Sequence, residues 1–366
     1  MILTVIFYIL VATTAIQLIY FLCFSSILFL KEKEKTTKQI PVSILICAKN
    51  EELNLQAFLP SIINQKYTDF EIVLINDASS DNTLEVMESF KELHENIKIV
   101  NVKNNEAFWG NKKYALTLGI KVATNEHLLF TDADCEPVSR LWIQSMVQNF
   151  SDKKTIVLGY GKYKAKKSFV NLLVRFETLL TAIQYFSYAK LGSPYMGVGR
   201  NLAYTKSEFF KTKGFIKHIQ VRSGDDDLFI QEAATKTNTA ICLNRKGFTV
   251  SNPPITLNEW FRQKRRHVST SSYYQFKHKV FLGLYFASKL FFYFSAMLLL
   301  FFMDWQLITP IFGVYIISLY MVFGFSAKRL QEKKIIFFLP FLDIFLLLFQ
   351  FSIFISNTFS KPTHWK

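Results

Sequence analysis

Cysteine and acidic side chains are both in short supply in this 366-residue chain. Its four cysteines, Cys23, Cys47, Cys135 and Cys242, stand far apart and form no C-x-x-C pair. Neither a zinc site nor a disulfide framework follows from them, which suits a domain in a reducing cytosol. Asp and Glu number 28 against 43 Lys and Arg, a formal charge of +15. A nucleic-acid partner is one use for such an excess. The cations cluster beside apolar runs, however, as charge-driven membrane topology requires, so no nucleic acid is expected. No internal repeat or low-complexity tract stands out, and the only linker-like segment is the basic stretch Lys31 to Lys38. Charge is missing altogether from Met1 to Leu30.

What is abundant is apolar surface: half of the residues are hydrophobic and 38 are Phe. A charge-free run as long as 1–30 crosses a hydrocarbon core of roughly 30 Å with some tilt. A cleaved signal peptide has a basic start and an apolar stretch of only about 7–15 residues, which fits less well. Three further apolar runs, Val280 to Met303, Leu307 to Phe325 and Ile335 to Ile355, are separated by Asp304-Trp305-Gln306 and by Ser326 to Lys334. One N-terminal and three C-terminal transmembrane helices are therefore expected, the latter within 279–366. Basic residues mark the inner side of short loops. They follow the first run (Lys31, Lys33, Lys35, Lys38), precede the second (Arg262, Lys264, Arg265, Arg266, Lys277, Lys279) and separate the third from the fourth (Lys328, Arg329, Lys333, Lys334). A multi-pass cell-membrane protein is expected, with 39–278 in the cytoplasm and both termini outside.

Between the spans the pattern changes to alternating strand and helix. Val42 to Cys47, Phe70 to Ile75, Ile97 to Val102 and His127 to Thr131 are short apolar or β-branched runs; Asn54 to Ile63, Asp81 to Leu93, Asn111 to Val122 and Arg140 to Phe150 fit helical spacing. The order predicts an α/β fold with a mostly parallel sheet covered by helices. Ligands of such sheets bind beyond the carboxyl ends of the strands. Those ends carry Ala48-Lys49-Asn50-Glu51-Glu52, Asn76-Asp77-Ala78-Ser79-Ser80-Asp81 and Asp132-Ala133-Asp134. Ser79, Ser80 and Asp81 serve equally well as helix caps. Two carboxylates at alternate positions after a buried strand, Asp132 and Asp134, can jointly hold a hard divalent cation.

Further on, Phe169 to Phe186 repeats apolar residues at helical spacing behind the basic stretch Lys162 to Lys167. The helix lies either on the membrane surface or on the sheet. Met196-Gly197-Val198-Gly199-Arg200-Asn201 has glycines that let backbone approach a ligand, and Ser223-Gly224-Asp225-Asp226-Asp227-Leu228 sets three carboxylates at the mouth of a helix running to Ala234. Capping accounts for one of the three, hardly for all.

Taken in order, these residues resemble the inverting family 2 glycosyltransferases with a GT-A, Rossmann-like fold, over most of Pro41 to Ser272. The resemblance implies nucleotide contacts at Ala48, Asn50, Glu51 and Asp77, a D-x-D motif at Asp132 and Asp134, and a catalytic carboxylate in Asp225-Asp226. A Gly-Lys segment is matched by Gly110-Asn111-Lys112-Lys113, one residue out of step, so that either Lys112 or Lys113 faces the diphosphate. Membrane-embedded members carry Q-x-x-R-W before a span. Here Gln263, Arg266 and His267 stand in those places, with His instead of Trp, and Gly199 and Asn201 are further substrate-binding candidates.

The implied chemistry is transfer of a sugar from a nucleotide-diphosphate sugar, expected to be UDP-linked, to a lipid or glycan acceptor. Mg2+ or Mn2+, held by Asp134 and by Asp132 directly or through water, stabilises the leaving diphosphate as a Lewis acid. Inversion needs a general base within hydrogen-bond reach of the attacking hydroxyl. Asp226 is the expected base and Asp225 the alternative; crowding of the three acids should raise the pKa of at least one. A processive polysaccharide synthase with coupled export is the rival within the enzyme class. Outside it stands a transporter with a nucleotide-sensing domain, suggested by Lys289 and Asp343 inside apolar runs.

Overall fold

The computed structural model describes residues 1–30, 39–103, 112–221 and 223–360. The linker 31–38, and Gly110 and Asn111 of the Gly-Lys segment, lie outside them. The chain divides into two compact units: described residues of Lys31–Lys164 and Gly192–Pro253 form one, those of Met1–Leu30, Ala165–Leu191 and Pro254–His364 the other. The first is α/β and the second helical. The helical unit opens the chain with α1 (Ile2–Ser25).

In the α/β unit, β1 (Val42–Ala48), β2 (Phe70–Asp77), β3 (Ile97–Val102) and β4 (His127–Asp132) alternate with α2 (Glu52–Ile63), α3 (Thr83–Leu93) and α4 (Lys112–Val122). β1, β2 and β4 are near-continuous apolar runs because both of their faces are covered, as parallel strands require. β5 (Cys135–Pro137), α5 (Trp142–Val147), β6 (Ile156–Leu158) and β7 (Gly161–Tyr163) follow. The chain then makes α6 (Phe169–Lys190), part of the helical unit, and returns for β8 (Leu202–Thr205), α7 (Lys206–Lys211), α8 (Asp227–Ala233), β9 (Thr239–Ile241) and β10 (Thr249–Ser251).

The main sheet runs β3-β2-β1-β4-β8-β6-β9, and β8 is antiparallel to both β4 and β6. A small sheet, β5-β10-β7, lies beyond β4 in sequence. The core packs Ile44, Ile46, Leu59, Leu74, Leu129 and Trp142, all essentially without exposure. Each such side chain contributes about 1.5–3 kcal/mol by leaving water. Register decides where the functional ends fall: Ala48 pairs with Asn76, and Cys47 with Asp132. The carboxyl ends of β1, β2 and β4 are thus level and share one rim. At the other end of β1, buried Ser43 donates to Glu71 (2.5 Å), which also meets Lys98 (2.8 Å) and the Thr124 amide (2.5 Å), so this polar edge is internally satisfied.

The helical unit continues with α9 (Leu257–Ser269), α10 (Phe276–Phe302), α11 (Trp305–Arg329) and α12 (Leu339–Phe359). Among the described residues, four helical segments are long and apolar enough to cross a membrane: Ile2–Phe29, Phe276–Phe302, Trp305–Arg329 and Lys333–Phe359. Asp304 ends one run and starts the next by accepting the Gln306 amide at 3.0 Å. Gln17 donates to the Tyr285 carbonyl (2.9 Å) and to Ser288 (2.8 Å), joining α1 to α10. Lys289 on α10 meets Asp343 on α12 at 2.5 Å, and Tyr293 (2.9 Å) and Tyr315 (2.6 Å) donate to the same carboxylate. The two charges that suggested transport satisfy one another inside the bundle.

α6 belongs with the apolar helices, where Arg175 is ion-paired to Glu332 and Glu177 to Lys264 at 2.5 Å. The 39–278 boundary expected from composition therefore cuts across the compact units, since α6 and α9 fall in the helical one.

Candidate active site

The rim is built first by two mutually supporting turns. Behind β1, Asn50 has φ of 56°, and behind β2, Ala78 has φ of 50°, left-handed conformations that non-glycine residues seldom adopt. The Asn50 amide donates to Ser79 Oγ at 3.0 Å, while Asn50 Oδ1 accepts from the Ser80 amide at 2.8 Å. Glu51 accepts from Asn54 at 2.5 Å and its amide donates to Thr83 Oγ1 at 2.9 Å. Ser79 and Ser80 thus hold the two turns together, and Asp81 accepts the Thr83 amide at 3.1 Å just ahead of α3. Ala48 is buried at the strand end, as is Asp77, whose carboxyl is raised by burial against the opposing pull of Lys49 and Lys112.

Next, α4 delivers Lys112. Its ammonium bridges Asp132 Oδ1 at 2.9 Å and Asp225 Oδ2 at 3.0 Å. Burial alone would lower its pKa; the carboxylates of Asp132 and Asp225 override burial and hold it well above the ordinary value. Lys113 turns elsewhere, because consecutive helical residues point about 100° apart. Its ammonium donates to the carbonyls of His218 (2.8 Å) and Val221 (2.9 Å), and burial brings it down to about 8 against the pull of Asp225, Asp227 and Asp226. The geometry separates the two lysines that the sequence left as alternatives.

Past β4, Asp132, Asp134 and Cys135 each bring one ligand atom within 4.8 Å of the others. The Cys135 thiol donates to Asp134 Oδ1 at 3.3 Å, and burial holds its pKa well above the usual thiol range. A thiol kept protonated is a poor metal ligand. What remains is a pair of carboxylates, the hard oxygen donors that Mg2+ and Mn2+ take. Asp134 is pushed up to about 6, by burial first and the Asp132 charge second, with Arg200 opposing. Acids crowded this way, short of positive charge, fit a divalent cation.

Arg200 was not among the residues the sequence singled out. It lies beside Gly199, stacks its guanidinium 4.3 Å over the Tyr163 ring and donates to Ser251 Oγ at 3.0 Å. Both partners come from the small sheet, so no local pattern could have announced it. Its neighbour Asn201 is fully buried, accepting from the Trp142 indole (3.0 Å) and donating to the carbonyls of Tyr160 (3.0 Å) and Gly247 (2.7 Å). That side chain joins α5 to the start of β8 inside the fold.

The acidic turn completes the cleft. Gly224 has φ of 88°, and a Cβ there would lie 2.7 Å from Leu228 Cγ, so only glycine fits. Asp226 caps α8: its Oδ1 accepts the Asp227 amide (2.8 Å) and its Oδ2 the Gly199 amide (2.7 Å). Burial, then Asp225 and Asp227, push the Asp226 carboxyl up to about 7, with the Gly199 amide and Lys112 opposing. The buried Asp227 accepts from the Leu228 amide at 2.7 Å. Lys112, Asp132, Gly199, Asp225 and Asp226 line one open cleft, whose apolar side carries the Phe130 and Tyr204 rings, stacked at 4.4 Å. Gln263, Arg266 and His267 stand on α9, in the helical unit.

Residues 43–207 match the family model described as Glycosyl transferase family 2. The "Probable glycosyltransferase YdaM" of Bacillus subtilis is 28% identical over 309 residues, 80% of this chain and 71% of that protein. The poly-beta-1,6-N-acetyl-D-glucosamine synthase of Staphylococcus epidermidis is 36% identical over 111 residues, 30% of this chain but only 25% of its own length. Among solved structures, a mannosyltransferase from Pyrobaculum calidifontis in complex with GDP-Man and Mn2+ superposes with a TM-score of 0.60 at 16% identity, covering 94% of this chain and 99% of that one. Segment 43–207 is a family 2 glycosyltransferase domain, with a GT-A-like fold of mostly parallel sheet and helices.

Proposed function

We propose that this chain, built around its family 2 domain, is an inverting glycosyltransferase that moves a sugar from a UDP-linked donor to a membrane lipid or glycan acceptor. The observation that carries the reading is the single cleft joining Asp132, Lys112 and Asp226, the last a carboxylate pushed up to about 7. Asp134 and Asp132 would hold Mg2+ or Mn2+, which when bound supplies Lewis-acid stabilisation of the leaving diphosphate. Lys112 adds positive charge on the same side. Asn50, Glu51 and Asp77, at the strand ends where such sheets bind ligands, face the nucleotide. Asp226 takes the proton of the acceptor hydroxyl at one of its carboxylate oxygens, already oriented by two amide donors.

The basic residues of α9 and of the loop after α11 support an orientation with the α/β unit in the cytosol and both termini outside. α6 and α9 are suited to the membrane interface, and α9 carries Gln263, Arg266 and His267, a set whose guanidinium has the fork geometry that phosphate takes. A reporter fused after Lys366 that is active only in the cytosol would contradict this orientation.

Turnover of a panel of nucleotide sugars by the purified chain, with membrane lipid extract and Mg2+ or Mn2+, tests the reading. A lipid- or glycan-linked product extended by one or a few sugars is the expected outcome, and no transfer from any donor overturns it. The similarity to a polysaccharide synthase favours a second reading, processive polymerisation with export. His267 in place of the family's Trp argues against it, and long polymer from the purified chain would reverse the choice.

A further inference from the structure

We infer that Lys113 is a positioning residue for the acidic turn: its ammonium clamps the carbonyls of His218 and Val221 and so sets where Asp225 and Asp226 stand in the cleft. The inference rests on the transferase reading above and deepens it by giving the second lysine a task away from the diphosphate.

Among its described residues, the segment leading into the acidic turn has little regular structure to hold it. It runs from a short 3-10 turn, Ile216–His218, to the left-handed Gly224, with the Val221 amide donating to the His218 carbonyl at 3.0 Å. That carbonyl therefore serves two donors, and one of them is Lys113. Only three residues separate Val221 from Asp225, a reach of about 13 Å over four virtual bonds even when fully extended, so displacement at the clamp passes to the carboxylates. Two other ties reach the same neighbourhood: His218 Nδ1 lies 3.1 Å from Glu232 on α8, and the Gly199 amide bonds Asp226.

The clamp and the site also share one helix turn. Lys112 and Lys113 open α4, one bonding the Asp225 carboxylate and the other the backbone ahead of it. The start of α4 thus governs the acidic turn twice. Burying an ammonium is costly, and a methionine would fill similar volume without that cost. What the charge adds is a pair of directed, charge-assisted bonds to carbonyl oxygens. Lys113 is about as buried as a side chain can be, at 1% exposure.

The test uses the full chain in detergent or nanodiscs and compares Lys113→Met and Lys113→Arg with the wild type. Misplacement of a reacting group by about 1 Å can cost about 10²-fold in rate, so Lys113→Met should lose about that factor in kcat. Donor KM should stay within about threefold, because an interaction acting only on the base leaves ground-state donor binding intact. Lys113→Arg, which retains a charged donor, should recover most of the rate. Without any substrate, amide exchange of residues 219–227 should quicken by about tenfold in Lys113→Met while β1 to β4 stay unchanged. If Lys113→Met does not fold, Lys113→Gln is measured in the same way. A raised donor KM with unchanged kcat would place Lys113 at the diphosphate and overturn the inference, as would unchanged exchange at 219–227. If the wild type transfers no sugar, the transferase reading fails instead, and the exchange measurement still decides the clamp.

Discussion

In the helical unit Lys289 meets Asp343, Arg175 meets Glu332 and Lys264 meets Glu177, one cation to each acid. At the rim of the α/β unit the balance is different. Asp132 and Asp225 meet Lys112, Asp134 stands beside Asp132 and Asp226 and Asp227 beside Asp225, with Lys113 and Arg200 nearby, and two of the acids are held at raised pKa values, about 6 and about 7. Paired charges deep in apolar surroundings fix which helices pack together; their desolvation is offset by their partner. Acids in excess of cations are strained toward anything that supplies positive charge or takes away a negative one. The second arrangement is what metal binding and proton transfer need.

The largest effect expected from breaking this contrast lies at the proposed cation site. Asp134→Ala should lose nearly all turnover while the protein still folds and inserts, since a partly exposed rim residue supports little packing. Chelation should have the same result. Undiminished turnover in chelator would remove the metal from the mechanism.

Next comes the proposed base, Asp226. Asp226→Asn keeps the size and an acceptor for the Gly199 or Asp227 amide but cannot take a proton, so transfer should fall by about 10²–10⁴-fold with donor binding retained. Near-normal turnover in Asp226→Asn together with loss in Asp225→Asn would move the base by one residue. The pH profile carries the sign. The carboxylate is the active form, so kcat should rise with pH through about 7 and level off above it. Stability should respond the other way. Asp226 binds its proton more tightly folded than unfolded, so its contribution is present below the ordinary Asp range near 3.8 and is lost as pH rises to about 7. A kcat flat from acid to neutral pH in the wild type would count against Asp226.

The helical unit supplies the matching control. Lys289→Met alone leaves Asp343 without its cation and should destabilise the protein by about 3–5 kcal/mol, whereas adding Asp343→Leu should recover most of that loss. Thermal unfolding in detergent reads both. A double variant as unstable as the single one would mean that the cluster does more than satisfy itself. The smallest effect belongs to Asp227→Asn: its side chain still accepts the Leu228 amide, and the charge lost at the start of α8 is worth about 0.3–1 kcal/mol. A rate loss there as large as that of Asp226→Asn would erase the distinction between capping acid and base.

Much of this molecule is legible in its local patterns. The strand expected at Ile97–Val102 is found with those bounds, and those expected at Val42–Cys47, Phe70–Ile75 and His127–Thr131 extend by one or two residues into the polar rim. Extension occurs because the ladder continues until the chain leaves the sheet, which alternation of apolar residues cannot mark. The helix expected at Arg140–Phe150 is shorter, Trp142–Val147, and turns on either side take up the difference. The antiparallel β8 and the small β5-β10-β7 sheet went unseen, since strands of three or four residues carry no period to read. The same blindness hid Arg200, whose partners Tyr163 and Ser251 are brought to it only by those strands.

By itself, then, the sequence determined the elements and their chemistry: four apolar helical segments, parallel strands whose polar ends gather on one rim, and acids spaced for a cation. These are short-range properties, set by side-chain period and by what the hydrocarbon or the core will accept. Only the tertiary structure decided between neighbours. It turned Lys112 to Asp132 and Asp225 and Lys113 to backbone carbonyls, drew Asn201 inside, and gave Asp226 both the Gly199 amide and its raised pKa. Adjacent residues of like type differ little in local propensity but point in different directions once a helix forms, and what each then meets comes from segments far away in the chain.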